Sequence, residues 1–267
     1  MAPEFSLSMP AARRAEAGRF RRSVLALAAL VTLVSLAPEA GAQSSGKGFL
    51  FKRPVGSFAL RGGYALANAG SDVFSDATTQ LTLDKRDFSA FDVGGDISYS
   101  LGARTDLVFD GELTSAKKPS EFRKWVDNND QPIRQSTTFR RIPLTMAVKY
   151  YLADRGREVS QFAWIPKQYA PYVSLGAGAM YYRFKQDGDF VDFKTLDVFS
   201  TTVESSGWTP MGQGAAGVEY NVGPWLALTG EGRYLWAKAT LDPNAFEGFD
   251  KIDLTGFAGT VGFRVRF

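Results

Sequence analysis

The chain has 267 residues, 45% of them hydrophobic and 22% charged, with 31 basic and 28 acidic side chains. It holds no cysteine and no histidine. That excludes disulfides, a lipidated cysteine, thiolate or imidazole metal sites, and any catalytic arrangement that moves its proton through a histidine.

The first 42 residues read as an export leader. Arg13, Arg14, Arg19, Arg21 and Arg22 form a basic region, and residues 24–36 form an apolar run broken only by Thr32 and Ser35. Pro38 then precedes Ala40-Gly41-Ala42, an A-x-A cleavage pattern before Gln43. The apolar run is shorter than the roughly 18 residues of a spanning helix. The leader carries five arginines and three glutamates, so removing it leaves 26 basic and 25 acidic residues on the mature chain. A net charge of +3 on the full chain therefore does not imply a nucleic-acid partner. The expected layout is a cleaved signal peptide over 1–42, a short periplasmic segment over 43–56, and one domain over 57–267.

Along that domain, eight segments alternate with period two. Residues 57–66 place Phe58, Leu60, Tyr64 and Leu66 on one face, with Arg61 opposite. Residues 88–101 set Phe91, Val93, Ile97, Tyr99 and Leu101 against Asp92, Asp96, Ser98 and Ser100. Residues 105–115 set Leu107, Phe109 and Leu113 against Asp106, Asp110 and Glu112. Residues 139–152 set Ile142, Leu144, Met146, Val148 and Tyr150 against Arg141, Thr145 and Lys149. The fifth segment, 171–185, is ambiguous: Val173, Leu175, Ala177, Ala179 and Tyr181 compete with Tyr172, Met180, Tyr182 and Phe184. Residues 208–220 keep Gln213 and Glu219 in phase, and 225–238 oppose Leu226, Leu228, Tyr234 and Trp236 to Thr229, Glu231 and Arg233. The eighth segment, 252–267, puts Phe257, Val261, Phe263, Val265 and Phe267 on one face and Thr260, Arg264 and Arg266 on the other.

The connections alternate in length. Long ones fall at 67–87, 116–138, 186–207 and 239–251, and short ones at 102–104 and 221–224. The stretch 153–170 is the exception; its Phe162, Trp164 and Ile165 suggest a place at the membrane interface or a prolongation of the flanking strands. Segment ends are rich in aromatics: Phe58, Phe88, Tyr99, Tyr150, Tyr151, Trp208, Tyr220, Trp225, Tyr234 and Trp236. Long outer loops, short inner turns and two aromatic girdles are the pattern of a transmembrane barrel. A soluble sandwich or lipocalin-like barrel alternates too, but accounts for neither the loop parity nor the terminal Phe267.

The leader, the eight alternating segments and the final aromatic strand together resemble the eight-stranded bacterial outer-membrane barrels of the OmpA/OmpX type. The resemblance is architectural and covers 57–267. It implies an all-β, eight-stranded antiparallel up-and-down transmembrane β-barrel in the outer membrane, contacting lipid and lipopolysaccharide. It also implies that Phe257, Val261, Phe263, Val265 and Phe267 form the signal read by the barrel-assembly machinery. Barrel enzymes that modify lipid A, cleave phospholipids or cut proteins generally use a histidine, so the resemblance does not extend to them, and no catalytic residue, cofactor or metal is expected.

Eight strands enclose a bore only wide enough for side chains. Arg61, Asp92, Asp96, Asp106, Asp110, Glu112, Arg141, Lys149, Glu219, Glu231, Arg233, Arg264 and Arg266 are expected to face into it and to pair as a plug. A narrow ion or solute channel is the alternative. Asp187-Gly188-Asp189-Phe190-Val191-Asp192 offers three carboxylates without calcium-loop spacing and reads as a solvated acidic loop. Lys117-Lys118 and Arg123-Lys124-Trp125 are candidate contacts for lipopolysaccharide phosphates or ordinary surface charge.

Overall fold

The computed structural model describes residues 48–267 apart from 128, 161, 193, 194, 196 and 250. The expected leader and its cleavage site at Ala40, Ala42 and Gln43 lie outside the described residues. Period-two alternation becomes strand in every segment named above: β1 (Gly56–Ala67), β2 (Ala90–Ser100), β3 (Thr105–Val126) and β4 (Pro132–Tyr151) in the first half. β5 (Gly156–Ser160) and β6 (Ala163–Pro166) follow, then β7 (Tyr169–Val191), β8 (Val198–Asn221), β9 (Leu226–Thr240), β10 (Lys251–Asp253) and β11 (Gly256–Arg266). Neighbouring barrel strands pair antiparallel in chain order, and β11 closes on β1 in a continuous register from Ser57↔Arg266 to Ala67↔Gly256. The result is an eight-stranded up-and-down barrel without a free edge.

Four strands run longer than alternation indicates. β3, β4, β7 and β8 have 22, 20, 23 and 24 residues, about twice what a tilted span requires. The connections expected at 116–138 and 186–207 are therefore mostly ladder, with Asp127 N donating to Gln131 O and Asp192 N to Asp197 O at their ends. Beyond the apolar band the outward positions become Lys117, Arg134, Arg140 and Arg183, so both faces carry polar groups and the contrast that marks a membrane strand fades. The Asp187–Asp189 stretch is part of this ladder rather than a loop: Asp187 accepts from Thr202 and Asp189 from Ser200 on the facing strand. The last strand is interrupted where Thr255 N donates to Asp253 Oδ1 at 3.0 Å; β10 and β11 keep one register on β9 across that break.

The 67–87 connection holds a helix, α1 (Asp72–Gln80), and a 3₁₀ turn at Lys85–Phe88. Of stretch 153–170, only residues 169 and 170 prolong a flanking strand, β7. The rest folds back as the β5–β6 hairpin, and Trp164, buried, exchanges backbone hydrogen bonds with Leu50.

Outward side chains from all eight strands form an apolar band, with Phe91 83%, Leu175 69% and Val261 71% exposed. Aromatic pairs border it: Tyr64–Phe91, Tyr181–Trp208 and Tyr234–Trp236 toward the long hairpins, and Tyr169–Tyr220 toward the short turns. Phe88 and Tyr151 do not belong to these girdles; both are buried inside. The ambiguous fifth segment resolves with Tyr172, Met180, Tyr182 and Phe184 inward and Val173 and Leu175 outward. The barrel's inner core lies at the end of the long hairpins, where Phe74 and Ala77 of α1 and Phe88 pack on Phe139, Met180, Phe184, Leu235 and Ile252 from the wall.

Candidate functional site

The bore below that apolar core is filled by charge. Inward alternation delivers Arg61 from β1, Asp92 and Asp96 from β2, and Asp106, Asp110 and Glu112 from β3. Arg141 and Lys149 come from β4, Glu219 from β8, Glu231 and Arg233 from β9, and Arg264 and Arg266 from β11; the side chains of all thirteen are buried. Space for these long groups comes from small neighbours. Arg61 stands in register between Gly94 and Gly262; a Cβ at Gly94 would lie 2.7 Å from Glu112 Cγ, and one at Gly262 2.7 Å from Arg61 Cβ. A larger residue at either glycine would collide with the ionic side chains beside it.

The contacts form a connected network. Arg61 reaches Asp96 at 2.8 Å and Glu112 at 2.9 Å, and also contacts Asp110. Arg233 binds Asp110 at 2.7 Å, Glu231 at 2.5 Å and Glu112. Toward the short turns, Arg264 joins Asp96 at 2.8 Å to Glu219 at 3.0 Å, and donates to Ser57 Oγ at 2.7 Å. Glu219 also takes Arg266 at 2.6 Å, Lys149 at 3.7 Å and the Tyr151 hydroxyl at 2.8 Å. Tyr172 donates to Glu231 at 2.8 Å while its ring lies 4.2 Å from the Lys149 ammonium. These tyrosines tie the two ends of the network together.

One member was not visible in the strand pattern. Arg155, from the connection after β4, enters the bore from the short-turn end, pairs with Asp106 at 2.8 Å, and donates to Ser100 Oγ at 3.0 Å. It lies over the Tyr151 ring at 4.7 Å. Since it sits outside any alternating segment, periodicity assigns it no direction. With it, the described bore holds seven acids and seven bases. Six of each sign have an opposite charge within 4 Å among the described residues.

Asp92 and Arg141 are not brought into that network. Both stand level with Thr114, on the strands to either side of it. Among the described residues the Asp92 side chain accepts only from Thr114, at 3.3 Å, and Arg141 donates to Leu254 O at 3.0 Å with its guanidinium 5.3 Å from the Phe139 ring. They mark the boundary between the ionic and apolar fillings.

The candidate lipid-contacting bases divide differently from their order in sequence. Lys118 turns toward Asp87 at 3.3 Å. Arg123 holds the α1 loop by donating to Thr78 O at 3.3 Å and Leu83 O at 3.1 Å. Lys117 remains exposed on the outer wall. The C-terminal side chains Phe257, Val261, Phe263 and Phe267 are exposed on the band, and the Phe267 carbonyl accepts from Val55 and Gly56. Among the described residues no three acidic side chains converge as a metal site. Outside the span, Asp154 on a short turn is held below the usual carboxylate range by the Arg104 guanidinium at 2.6 Å.

Neither a protein-family model nor a curated protein matches the chain. Solved structures do. The outer membrane protein OprG of Pseudomonas aeruginosa is 16% identical, with a TM-score of 0.43, over 82% of this chain and 99% of that one. Outer Membrane Protein W of E. coli is 16% identical, TM-score 0.37, over 80% and 100%. The outer membrane protease OmpT from Escherichia coli is 11% identical, TM-score 0.34, over 84% and 100%. The chain is similar to these barrels in fold.

Proposed function

We propose that this protein is an integral outer-membrane barrel whose bore is shut, with a structural or surface-interaction role rather than transport or catalysis. The matched ionic filling carries the reading: each inward carboxylate except Asp92 is already engaged by a cation. A permanent pore needs polar groups that face water, whereas these face one another. The outward apolar band supports a lipid setting, because soluble monomers rarely expose a continuous apolar belt around the molecule. A non-enzymatic role is supported by the missing histidine and cysteine and by the commitment of the buried carboxylates to arginines.

Planar-bilayer recording is the direct test. A shut barrel gives rare, brief events; steady conductance with ion or solute selectivity would replace this reading with a channel. Glu231→Lys separates the two again. In a plug it sets a new ammonium beside Arg233 and Lys149 and lowers the unfolding temperature, while in a pore it chiefly changes selectivity. The layout with a signal peptide over 1–42 and a periplasmic segment over 43–56 belongs to the same proposal, as does reading of the Phe257 to Phe267 face by the assembly machinery. Amino-terminal sequencing of the mature protein should begin at Gln43. Deleting Phe267 should reduce assembly without reducing export. Contact with lipopolysaccharide at the outer leaflet completes the proposal.

A further inference from the structure

Just beyond the outer aromatic girdle, the barrel wall changes from apolar to basic on one side. On β4 the outward side chain after Ile142 is Arg140; on β7 the one after Tyr181 is Arg183, followed by Lys185. Lys117 of β3 is in register with Thr138, which is in register with Lys185, so one row sets two cations across three strands with a threonine between them. Arg140 and Arg183 are directly opposite in the ladder. Like charges in that position destabilise a sheet unless something between them is negative. Arg183 has Glu204 at 2.6 Å, and Lys185 has Asp187 at 3.4 Å. Among the described residues Arg140 has no carboxylate within 4 Å, only Ser115 Oγ at 3.5 Å. Four cations against two acids leave the patch positive, where phosphates of an outer leaflet would lie.

We infer that Arg140, Arg183, Lys117 and Lys185 form a docking surface for the phosphorylated head of an outer-leaflet glycolipid, with the Arg140–Arg183 pair gripping a phosphate. Two planar guanidinium forks a ladder step apart suit a phosphate, which accepts bidentate donation from each. The acyl chains of the same molecule would run down the adjoining face of Ile142, Leu144 and Tyr181. The four strands that extend past the girdle form a wall beside the head group, and that height favours a bulky sugar head over a small phospholipid one. The inference rests on the reading of the apolar band as lipid-facing.

The test uses the mature barrel refolded into phosphatidylcholine vesicles, alone or with added lipopolysaccharide, dephosphorylated lipopolysaccharide, or phosphatidylglycerol at matched phosphate. Unfolding is followed as loss of the compact, heat-modifiable form. Lipopolysaccharide should raise the unfolding temperature of the wild type clearly more than the other two additions. R140A/R183A should lose most of that rise, and E204Q, which frees Arg183, should enlarge it. A full rise in the double variant, an equal rise with phosphatidylglycerol or with the dephosphorylated lipid, or a smaller rise in E204Q would overturn the inference. Failure of the wild type to insert into vesicles at all would instead sink the membrane reading on which it rests.

Discussion

The bore is closed twice, by different chemistry. Its middle is filled by interleaved acids and bases on the wall strands, and its outer end by an apolar core that the wall alone does not complete. The ionic part needs no lid, because strands on opposite sides of a narrow barrel supply opposite charges that meet at the axis. The apolar part needs α1 and the turn around Phe246 to cover Phe139, Phe184 and Ile252. Charge pairing can be built into a ladder one residue at a time, whereas close packing of aromatic rings requires an extra element brought from outside the sheet. The lesson is that the middle belongs to the barrel's global stability and the outer end partly to a separable cap.

The strongest test of that division removes one cation from the middle. Arg233 touches Asp110, Glu112 and Glu231, so Arg233→Ala leaves Glu231 with no cation within 4 Å among the described residues and Asp110 and Glu112 sharing Arg61 alone, and should cost about 3–5 kcal/mol. Urea unfolding of the refolded barrel should show one transition at lower urea, since every strand shares the loss. Arg233→Lys keeps the charge but loses the fork, and should fall between the two. If Arg233→Ala unfolds at the wild-type midpoint, the ionic filling is not what holds the middle.

A truncation in the cap should behave otherwise. Phe74 is fully buried against Phe88, Phe139 and Phe184, at centroid distances of 4.7, 5.3 and 5.6 Å. Phe74→Ala should cost about 3 kcal/mol of local packing. The loss should appear as faster hydrogen exchange in α1 and in 81–88, with exchange in β9 and β11 unchanged. A drop in global unfolding of the size seen for Arg233→Ala would show that cap and barrel are one cooperative unit.

How legible these two regions were in the sequence differs for a physical reason. Alternation with a sharp apolar–charged contrast identifies wall strands and the direction of each side chain, so the thirteen inward charges could be named from spacing alone. The outer core could not, because there both faces lose that contrast: Phe139, Tyr182 and Phe184 face in while Arg140 and Arg183 face out. Phe74 arrives on a helix with its own period. Arg155 was hidden for a simpler reason, as it sits in a connection and reaches the axis from the end of the barrel. The long hairpins show the same limit, since a ladder above the lipid needs cross-strand pairing but no outward hydrophobicity.

Arg155 also gives a smaller effect at the opposite end. Among the described residues, Arg155→Ala leaves Asp106 with only Ser100 at 3.0 Å as a side-chain donor, a loss of about 1–3 kcal/mol. The β5–β6 hairpin should become more sensitive to protease from the short-turn side, without a change in the cap. Sensitivity that rises equally in α1 would mean that the two ends communicate through the network.

The smallest effect should come from pH, and it bears on the seam between cap and barrel. Asp253 sits at the break before β11, accepting from Thr255 N at 3.0 Å, Asn68 Nδ2 at 2.8 Å and Gly70 N at 3.1 Å. It thus pins the start of the α1 loop to the last strand. Burial pushes its carboxyl up, but donation from Thr255, Asn68 and Gly70 outweighs burial and holds it below the usual carboxylate range. A carboxyl depressed in the folded state stabilises that state above its unfolded value of about 4, and the contribution disappears as pH falls through the folded value. Hydrogen exchange in residues 68–71 should therefore be flat from neutral pH to about 4, after correction for the intrinsic pH dependence, and rise below it. Asp253→Asn keeps one acceptor oxygen and removes the charge, so its seam should be looser at neutral pH and lose the acid step. Hydrogen exchange in β9 and β11 should stay slow through that window in both proteins, because each of these strands is paired along both edges. If the middle opens first on acidification, the cap is the sturdier of the two closures and the assignment of global stability to the ionic filling is reversed.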